Sequence, residues 1–223
     1  MSKYKIQLKS IEEVTHDVNR YTAEKPKGYE FTPGQATELS IDEVGLEEEG
    51  RPFTFTSLPK DDQLEFTIKS YTDRDGVTKE LLNLDDRDKF IIEDAFGAIK
   101  YDGEGTFIAG GAGVTPFISI FRKLEKEGKI GDNQLLFSNK TQKDIILREE
   151  FRNMLGSNFV NIFSQERTNE YAYGHISKEF LKEHVKDFDK KFYVCGPPEM
   201  MESVLGQLKE LGVEDDQIIT EDM

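Results

Sequence analysis

The sequence predicts two domains, an antiparallel β-barrel followed by an α/β domain built on a parallel sheet. Two observations in the 223-residue chain carry this prediction. Up to about residue 102 the apolar residues tend to alternate, which is typical of strands with one buried face. From residue 103 onward, short apolar runs alternate with helix-length segments, which favours a parallel sheet covered by helices on both faces. We therefore expect domains over residues 1–102 and 103–223.

The first half reads as about six short strands and one helix. Ile6 and Leu8 fit one face of a strand, and Leu64, Phe66 and Ile68 fit another. Clusters of Pro, Gly and Asp between such runs predict turns, and short strands joined in this way favour a barrel. The remaining expectations are strands at Phe53 with Phe55 and at Phe90 with Ile92, turns at 26–28, 33–34, 45–50, 59–62 and 73–76, and a helix near 78–84.

The second half alternates strands and helices. Ser177 precedes one of the helices and is expected to cap its first turn. A linker containing two glycines, Gly103 and Gly105, leads into this half. Strands are expected at 106–109, 134–137, 159–163, 191–194 and 217–220, and helices at 116–126, 147–155, 178–186 and 199–211.

Composition and charge exclude several classes of function. The formal charge of −15 argues against a general nucleic-acid binder, because phosphate backbones are held by basic surfaces. The single cysteine, Cys195, cannot form an internal disulfide or hold an iron–sulfur cluster alone, and the cytoplasm is the expected location. No leader peptide and no membrane span is expected. The three histidines, His16, His175 and His184, lack metal-ligand spacing, so no metal site is expected.

The most specific motif is the glycine-rich segment at residues 109–116, AGGAGVTP, which follows a predicted strand and precedes a predicted helix. Glycines allow a tight turn and a close approach of the backbone to an anion, and a helix N-terminus attracts a pyrophosphate. Pro116 stands where the ordinary dinucleotide fingerprint has a third glycine. Proline is well tolerated in a first helical turn. The segment is therefore expected to bind a dinucleotide, although a glycine-rich turn without a ligand stays an alternative.

Two further segments admit both a structural and a functional interpretation. Residues 193–200, YVCGPPEM, again join a strand to a helix, so Cys195 is either a small buried hydrophobe or a residue at the ligand-binding edge of a parallel sheet. Residues 51–57, RPFTFTS, begin a strand in the first half. Arg51 is either a solvated residue at the strand end or a ligand of a phosphate group. Phe53 is either a core residue or an aromatic ring that packs over a flat heterocycle.

Taken in order, these motifs resemble those of the ferredoxin-NADP reductase superfamily over almost the whole chain. The resemblance implies a flavin-binding barrel, a nicotinamide-nucleotide domain and a flavin in the cleft between them. It further implies an enzyme that oxidises NADH or NADPH and passes electrons to a small oxidant or an electron-carrier protein. A non-catalytic flavin- or nucleotide-binding module on the same fold is the alternative, because a fold alone does not establish activity.

The resemblance implies roles for residues of the first half. Arg51, Pro52, Phe53 and Thr54 match the family's Arg-x-Tyr-Ser/Thr, with Phe53 packing on the flavin and Thr54 bonding near the nitrogen that accepts hydride. Tyr71 is a candidate for stacking on adenine, which favours FAD over FMN. The other candidate flavin ligands are Ile68 and Lys69, on the strand before Tyr71, and Gly76, Val77 and Thr78, in a shortened form of the family's Gly-x-x-Ser.

Roles in the second half follow from the same resemblance. The dinucleotide pyrophosphate and the start of its nicotinamide are assigned to the glycine-rich segment, and the nicotinamide ring to the segment around Cys195. Many family members end in an aromatic residue with a glutamate two positions earlier. Glu221 keeps that position relative to the last residue, whereas Met223 replaces the aromatic residue. The candidate nucleotide ligands are Gly111, Gly113, Val114, Thr115, Pro116, Ser164, Glu166, Cys195, Gly196, Pro197 and Met200, and the candidate catalytic residues are Thr54, Cys195 and Glu221.

The choice of nucleotide depends on the residues after Ser164. Members that use NADPH commonly place an arginine directly after this serine, and here that position is Gln165. Glu166 would repel the extra phosphate and bond a ribose hydroxyl. The motif at residues 136–148 also resembles that of NADH-dependent cytochrome reductases. NADH is therefore expected in preference to NADPH.

Overall fold

The computed structural model describes residues 2–71 and 76–221, and it divides the chain between two six-stranded sheets. The first sheet is antiparallel and uses residues up to Ile92, whereas the second is parallel and starts at Gly105. The predicted fold class is confirmed. The boundary between residues 102 and 103 stays a prediction. Among the described residues, no helix is long and apolar enough to cross a membrane.

The first sheet closes into a barrel. Its strands are ordered β4-β3-β6-β1-β2-β5, and a bridge between Phe55 and Phe66 joins the two ends. The alternation along the strands places the aromatic rings of Tyr21, Phe55, Phe66 and Phe90 in a fully buried core. The strands are β1 (Tyr4–Thr15), β2 (Val18–Glu24), β3 (Ala36–Ile41), β4 (Arg51–Thr54), β5 (Gln63–Lys69) and β6 (Lys89–Ile92).

The predicted barrel helix is present but short. Helix α1 (Val77–Glu80) runs directly into a 3₁₀ turn at Leu81–Asn83. Val77 and Leu81 are buried in the barrel core, so packing rather than length holds this segment in place. The predicted turn at 73–76 lies mostly outside the described residues.

The second sheet has the strand order β10-β9-β8-β7-β11-β12, and every pair in it is parallel. Two apolar clusters cover its faces, one around α2 and α3 and the other around α4 and α5. The strands are β7 (Gly105–Gly110), β8 (Gln134–Asn139), β9 (Phe159–Phe163), β10 (Ala172–Tyr173), β11 (Lys191–Cys195) and β12 (Ile218–Thr220), and the helices are α2 (Thr115–Lys126), α3 (Arg148–Leu155), α4 (Lys178–His184) and α5 (Pro198–Glu210).

The predicted strands and helices of this half agree with the structure to within two residues at their ends. Ser177 caps α4 as expected, since its side chain accepts a hydrogen bond from the backbone N–H of Phe180 at 3.2 Å. The two-residue strand β10 was not predicted. Among the residues that the structure describes, it pairs with β9 alone, through Ala172 opposite Ile162 and Tyr173 opposite Phe163.

The two domains are packed directly against each other. Val18 and Ile99, from the first half of the chain, are buried in the apolar cluster around α2. The backbone N–H of Gly34 donates a buried hydrogen bond of 3.1 Å to the Ser119 hydroxyl on α2. Helix α2 is therefore shared by the core of the second domain and the contact between the domains.

Candidate functional site

The direction of winding in the parallel sheet reverses between β7 and β11. The chain passes from β7 outward through β8, β9 and β10, and then returns to β11 on the other side of β7. In sheets of this kind, ligands bind in the crevice at the carboxyl ends of the strands where the winding reverses. The two motifs singled out in the sequence, residues 109–116 and 193–200, follow these two strands.

The glycine-rich segment forms a 3₁₀ turn at Gly111–Val114 that leads into α2. Gly111 has a φ of 51°, and a Cβ at this position would meet no atom within 4 Å, so the backbone is open to a ligand there. Pro116 lies in the first turn of α2, and within the described part of the chain no side chain caps that helix. The first N–H groups of α2 and the positive end of its dipole are the features that bind phosphate groups.

The segments after β7 and β11 touch through their backbones. A Cβ on Gly113 would lie 2.4 Å from the carbonyl oxygen of Cys195, and a Cβ on Gly110 would lie 2.3 Å from the sulfur of Met200. The atoms facing Gly113 belong to the backbone and cannot move aside as the Met200 side chain can, so the contact at Gly113 requires glycine. Gly113 therefore allows the close approach of the two segments, while Gly111 leaves the backbone accessible.

The barrel supplies the opposite wall. Strand β4 places Phe53 against the barrel core and Thr54 among the buried residues, paired with Ala36 of β3. Strand β5 contributes Ile68 and Lys69. The cleft between the domains has a volume of about 220 Å³. Its walls are formed by Ala36, Pro52, Phe53, Thr54, Thr67, Ile68, Lys69, Tyr71 and Thr78 of the barrel and by Ala112, Thr115, Pro116, Cys195 and Glu221 of the second domain.

Cys195 and Glu221 form the part of the cleft beside β11 and β12. Burial, together with the nearby charge of Glu221, raises the pKa of the Cys195 thiol to about 12. The pKa of Glu221 also lies above its ordinary value because its carboxyl is partly desolvated, although the residue as a whole is exposed. Cys195 is thus a neutral thiol and a poor nucleophile at neutral pH.

Lys69 is bound to a carboxylate at the edge of the cleft. Its ammonium lies 2.7 Å from Asp17 in the turn between β1 and β2. Burial favours the protonated form of Asp17, but the hydrogen bond and charge of Lys69 outweigh this and lower the pKa of the carboxyl. The Lys69 charge is therefore held in place by the barrel before any ligand arrives.

Several predicted site residues lie outside the cleft lining. Arg51 is exposed, and its guanidinium donates to the carbonyl of Gly50 at 2.7 Å. The Val77 side chain is buried in the barrel core, and Gly76, at the N-terminus of α1, has a φ of 126° with open space around it. Val114 is buried in the apolar cluster around α2. The segments that contain Gly111, Gly113, Gly196, Pro197 and Met200 meet through backbone and packing contacts, and Met223 lies outside the described residues.

Ser164 and Glu166 follow the carboxyl end of β9. The backbone N–H of Ser164 donates to the carbonyl of Asn139 at 3.0 Å, which extends the pairing with β8. The Glu166 carboxylate accepts a hydrogen bond of 2.7 Å from the backbone N–H of Gln142. These contacts fix the position of the Glu166 charge at the same edge of the sheet as the crevice.

Three cleft residues were missed by the sequence interpretation: Ala36, Thr67 and Ala112. Ala36 lies two residues after the turn at 33–34, and Ala112 lies inside the glycine-rich motif, so neighbouring residues in the sequence could have indicated both. Thr67 lies between Phe66 and Ile68, and its position depends on how the barrel meets the second domain, which no local pattern encodes.

Three potential metal ligands come together at the domain contact. Ligand atoms of His16, Asp17 and Asp144 lie within 4.8 Å of one another. The Asp17 oxygen is already paired with Lys69, and one oxygen of Asp144 accepts hydrogen bonds from the backbone N–H and hydroxyl of Thr141. Asp17 and Asp144 thus already have partners within their own domains, and across the domain contact His16 Nε2 lies 3.8 Å from an Asp144 oxygen.

Comparisons with known families match a different family to each of the two domains. A family described as an FAD-binding domain matches residues 3–100, and a family described as an oxidoreductase NAD-binding domain matches residues 107–205. The two occur in the order barrel and then parallel sheet, with the cleft between them. The chain therefore contains an FAD-binding domain followed by an oxidoreductase NAD-binding domain.

Curated relatives are similar over most of the chain. The chain is 28% identical to an NADH-cytochrome b5 reductase 2 of Mycosarcoma maydis, over 90% of this chain and 63% of the relative. It is 26% identical to the ferredoxin–NAD(P)⁺ reductase component of a naphthalene 1,2-dioxygenase system of Pseudomonas putida, over 94% of this chain and 65% of the relative. The chain thus spans less than two thirds of the length of these relatives.

A solved superfamily structure shows the same fold. The ferredoxin-NADP⁺ reductase of Neisseria gonorrhoeae with bound FAD and NADP superposes with a TM-score of 0.84 at 20% identity, covering 98% of both chains. At this identity the comparison describes the fold alone. The arrangement of barrel and parallel sheet is thus shared with that reductase.

Proposed function

We propose that the chain is a flavoenzyme that takes a hydride from NADH onto bound FAD and passes the electrons to an acceptor. One observation carries the proposal: a single cleft is lined by Phe53 and Thr54 of the FAD-binding domain and by Pro116 and Cys195 of the NAD-binding domain. A shared cleft is what direct hydride transfer requires, because the reacting atoms must approach to about 3 to 3.5 Å.

The residues of the barrel fit a flavin. Phe53 offers an aromatic face, and Thr54 a hydroxyl, on the wall of the cleft. Tyr71, at the end of β5, would stack on the adenine and so favours FAD over FMN. Arg51 is exposed beside the cleft, where its guanidinium would pair with a flavin phosphate, and Gly76 leaves the backbone before Thr78 open to another.

The second domain fits the nicotinamide dinucleotide. The open backbone at Gly111 and the uncapped N-terminus of α2 would hold the pyrophosphate, and Gly196 and Pro197 would lie beside the nicotinamide. When bound, FAD accepts electrons in pairs and can release them one at a time. The chain's own contribution is to orient the two rings and exclude water. The neutral Cys195 suits this role, since it introduces no charge that water would solvate.

We further propose NADH as the preferred nucleotide. The fixed carboxylate of Glu166 would repel a phosphate on the adenosine ribose and would accept a hydrogen bond from a ribose hydroxyl. Gln165 offers no positive charge to such a phosphate. The M. maydis relative is named as an NADH-dependent reductase, which supports the same choice.

The acceptor is constrained by charge. The formal charge of −15 would repel acidic electron carriers, which favours a small oxidant or a carrier with a basic surface. The relatives' names include a cytochrome b5 reductase and a ferredoxin reductase component, so the superfamily serves different acceptors. A cytoplasmic location is proposed because one unpaired cysteine suits a reducing compartment.

The test uses the purified full chain reconstituted with FAD. Anaerobic titration with NADH is expected to bleach the flavin absorbance with one equivalent of nucleotide per FAD. A subsequent panel of free flavin, ferric chelate, cytochrome and ferredoxin would identify the class of acceptor. Protein that binds FAD but is not reduced by NADH or NADPH would instead be a non-catalytic binding module, and protein that binds no flavin would contradict the proposal entirely.

A further inference from the structure

A partly buried arginine, Arg122, joins α2 to the barrel. Nη1 of Arg122 donates to the Thr56 carbonyl at 2.7 Å and to the Glu65 carboxylate at 2.6 Å, both in the barrel. The Nε and Nη2 groups of the same guanidinium donate to both oxygens of Glu150 on α3, at 2.5 and 3.0 Å. One side chain thus connects the barrel with two helices of the second domain.

The surroundings make this connection rigid. The side chains of Arg122 and Glu65 are only 17% and 18% exposed, so water competes weakly for their hydrogen bonds. Burial by itself would lower the pKa of Arg122, but the hydrogen bonds and charges of Glu150 and Glu65 raise it above its ordinary value. The planar guanidinium matches the Glu150 carboxylate with two parallel bonds, which a lysine cannot reproduce.

The position of Arg122 on α2 connects this contact to the cleft. The N-terminus of α2, at Thr115 and Pro116, lines the cleft, and Arg122 lies about 10 Å further along the same helix at about 1.5 Å per residue. A helix transmits a rotation at one end to the other because its backbone is internally hydrogen-bonded. The orientation of the nucleotide-binding turn relative to Phe53 therefore depends on how Arg122 is held.

We propose that Arg122 is a positioning residue for hydride transfer, which fixes the nucleotide-binding turn of α2 relative to the flavin wall of the barrel. This inference rests on the proposed function. Arg122 lies outside the cleft lining and donates hydrogen bonds to Thr56, Glu65 and Glu150, so its effect passes through the orientation of α2.

Three variants separate positioning from general stability. Arg122→Met removes every hydrogen bond while keeping an unbranched apolar side chain. Arg122→Lys retains the charge but not the bidentate geometry. The matched control is Arg20→Met, because Arg20 also approaches Glu65, at 4.0 Å, and pairs with Glu12, but all three residues lie within the barrel.

The first readout is independent of catalysis. The backbone N–H of Gly34 donates to Ser119 across the domain contact, so its hydrogen exchange reports the opening of that contact in the FAD-loaded protein. Arg122→Met is expected to accelerate exchange at Gly34 by at least tenfold. Exchange at the backbone N–H of Phe66, inside the barrel, is expected to stay within twofold of the parent protein. In Arg20→Met, exchange at both Gly34 and Phe66 is expected to stay within twofold of the parent protein.

The second readout is the first-order rate of flavin reduction at saturating NADH in an anaerobic stopped-flow instrument. Arg122→Met is expected to lower this rate at least tenfold, with FAD content and the dissociation constant for NADH changed less than threefold. The reduction rate of Arg122→Lys is expected to lie between the rates of Arg122→Met and of the parent protein. If Arg122→Met does not fold, Arg122→Lys takes its place in the test.

The outcomes distinguish this inference from the proposed function. A parent protein whose FAD is not reduced by NADH contradicts the proposed function, and the inference with it. A parent that is reduced, with Arg122 variants that keep Gly34 protection and a rate within twofold of the parent, overturns the positioning role alone. Equal rate losses in Arg20→Met and Arg122→Met would also overturn it, because the effect would then belong to Glu65 and the barrel.

Discussion

Gly113 and Cys195 lie in direct backbone contact, with the Cys195 carbonyl oxygen in the space that a Cβ on Gly113 would occupy. The contact joins the two segments that follow β7 and β11, where the parallel sheet reverses its winding. The proposed pyrophosphate and nicotinamide sites are thus held at one fixed separation. A residue larger than glycine at position 113 must push one site away from the other.

Gly113→Ala is therefore expected to impair the use of NADH more than the binding of flavin. A Cβ at 2.4 Å from a backbone oxygen forces a backbone shift, because no flexible side chain can move out of its way. The expected result is at least a tenfold loss of kcat/KM for NADH with FAD content unchanged, measured by steady-state kinetics and flavin absorbance. Loss of bound FAD in step with activity would contradict this assignment.

Gly206→Ala provides the matched control and is expected to stabilise the protein. Gly206 is exposed within α5, and a Cβ there would meet nothing within 4 Å. Alanine in a helix interior is favoured over glycine by about 0.5 to 1 kcal/mol. Thermal unfolding should therefore shift upward by roughly 2 to 4 °C per kcal/mol, with kcat/KM unchanged. A lower melting temperature would show that Gly206 has a structural role not seen here.

The Cys195 thiol is expected to resist alkylation. Burial raises its pKa to about 12, so the reactive thiolate is scarce at pH 8 and becomes abundant only as the pH approaches 12. Iodoacetamide labelling of the folded protein should be far slower at pH 8 than labelling in urea and should rise steadily up to pH 10, measured by mass spectrometry. Labelling that levels off near pH 8 would indicate an ordinary or activated thiol.

Glu166→Gln is expected to weaken discrimination between the two nucleotides. Glutamine keeps an oxygen that can accept from the Gln142 backbone N–H, so the substitution isolates the charge. The ratio of kcat/KM for NADH to that for NADPH should fall at least threefold, mainly through a gain with NADPH. An unchanged ratio would place the selectivity elsewhere.

The sequence predicted the elements that depend on local patterns. Alternation identified the core positions Leu64, Phe66 and Ile68, and the glycine-rich segment at 109–116 marked the turn before α2, because periodicity and glycine conformations are properties of neighbouring residues. Strand β10 was missed since it has two residues and exists only through pairing with β9.

Contacts between distant residues were not accessible in the same way. The partners of Arg122, namely Thr56, Glu65 and Glu150, come from the barrel and from α3, and no motif relates them. Val77 was expected to hold a cofactor through a family motif, but its side chain packs in the barrel core. Residue roles that depend on how the two domains pack could therefore be recognised only from the three-dimensional structure.

The central claim is direct hydride transfer across the shared cleft, and a kinetic isotope effect tests it most directly. The FAD-loaded protein is mixed anaerobically with NADH or with NADH deuterated at the transferred position, and the first-order loss of flavin absorbance is recorded. We expect reduction within seconds and a rate at least twofold slower with deuterium. The absence of flavin reduction would contradict the claim that this cleft controls hydride transfer. Equal reduction rates with NADH and deuterated NADH, at saturating nucleotide where binding does not limit the rate, would contradict it as well.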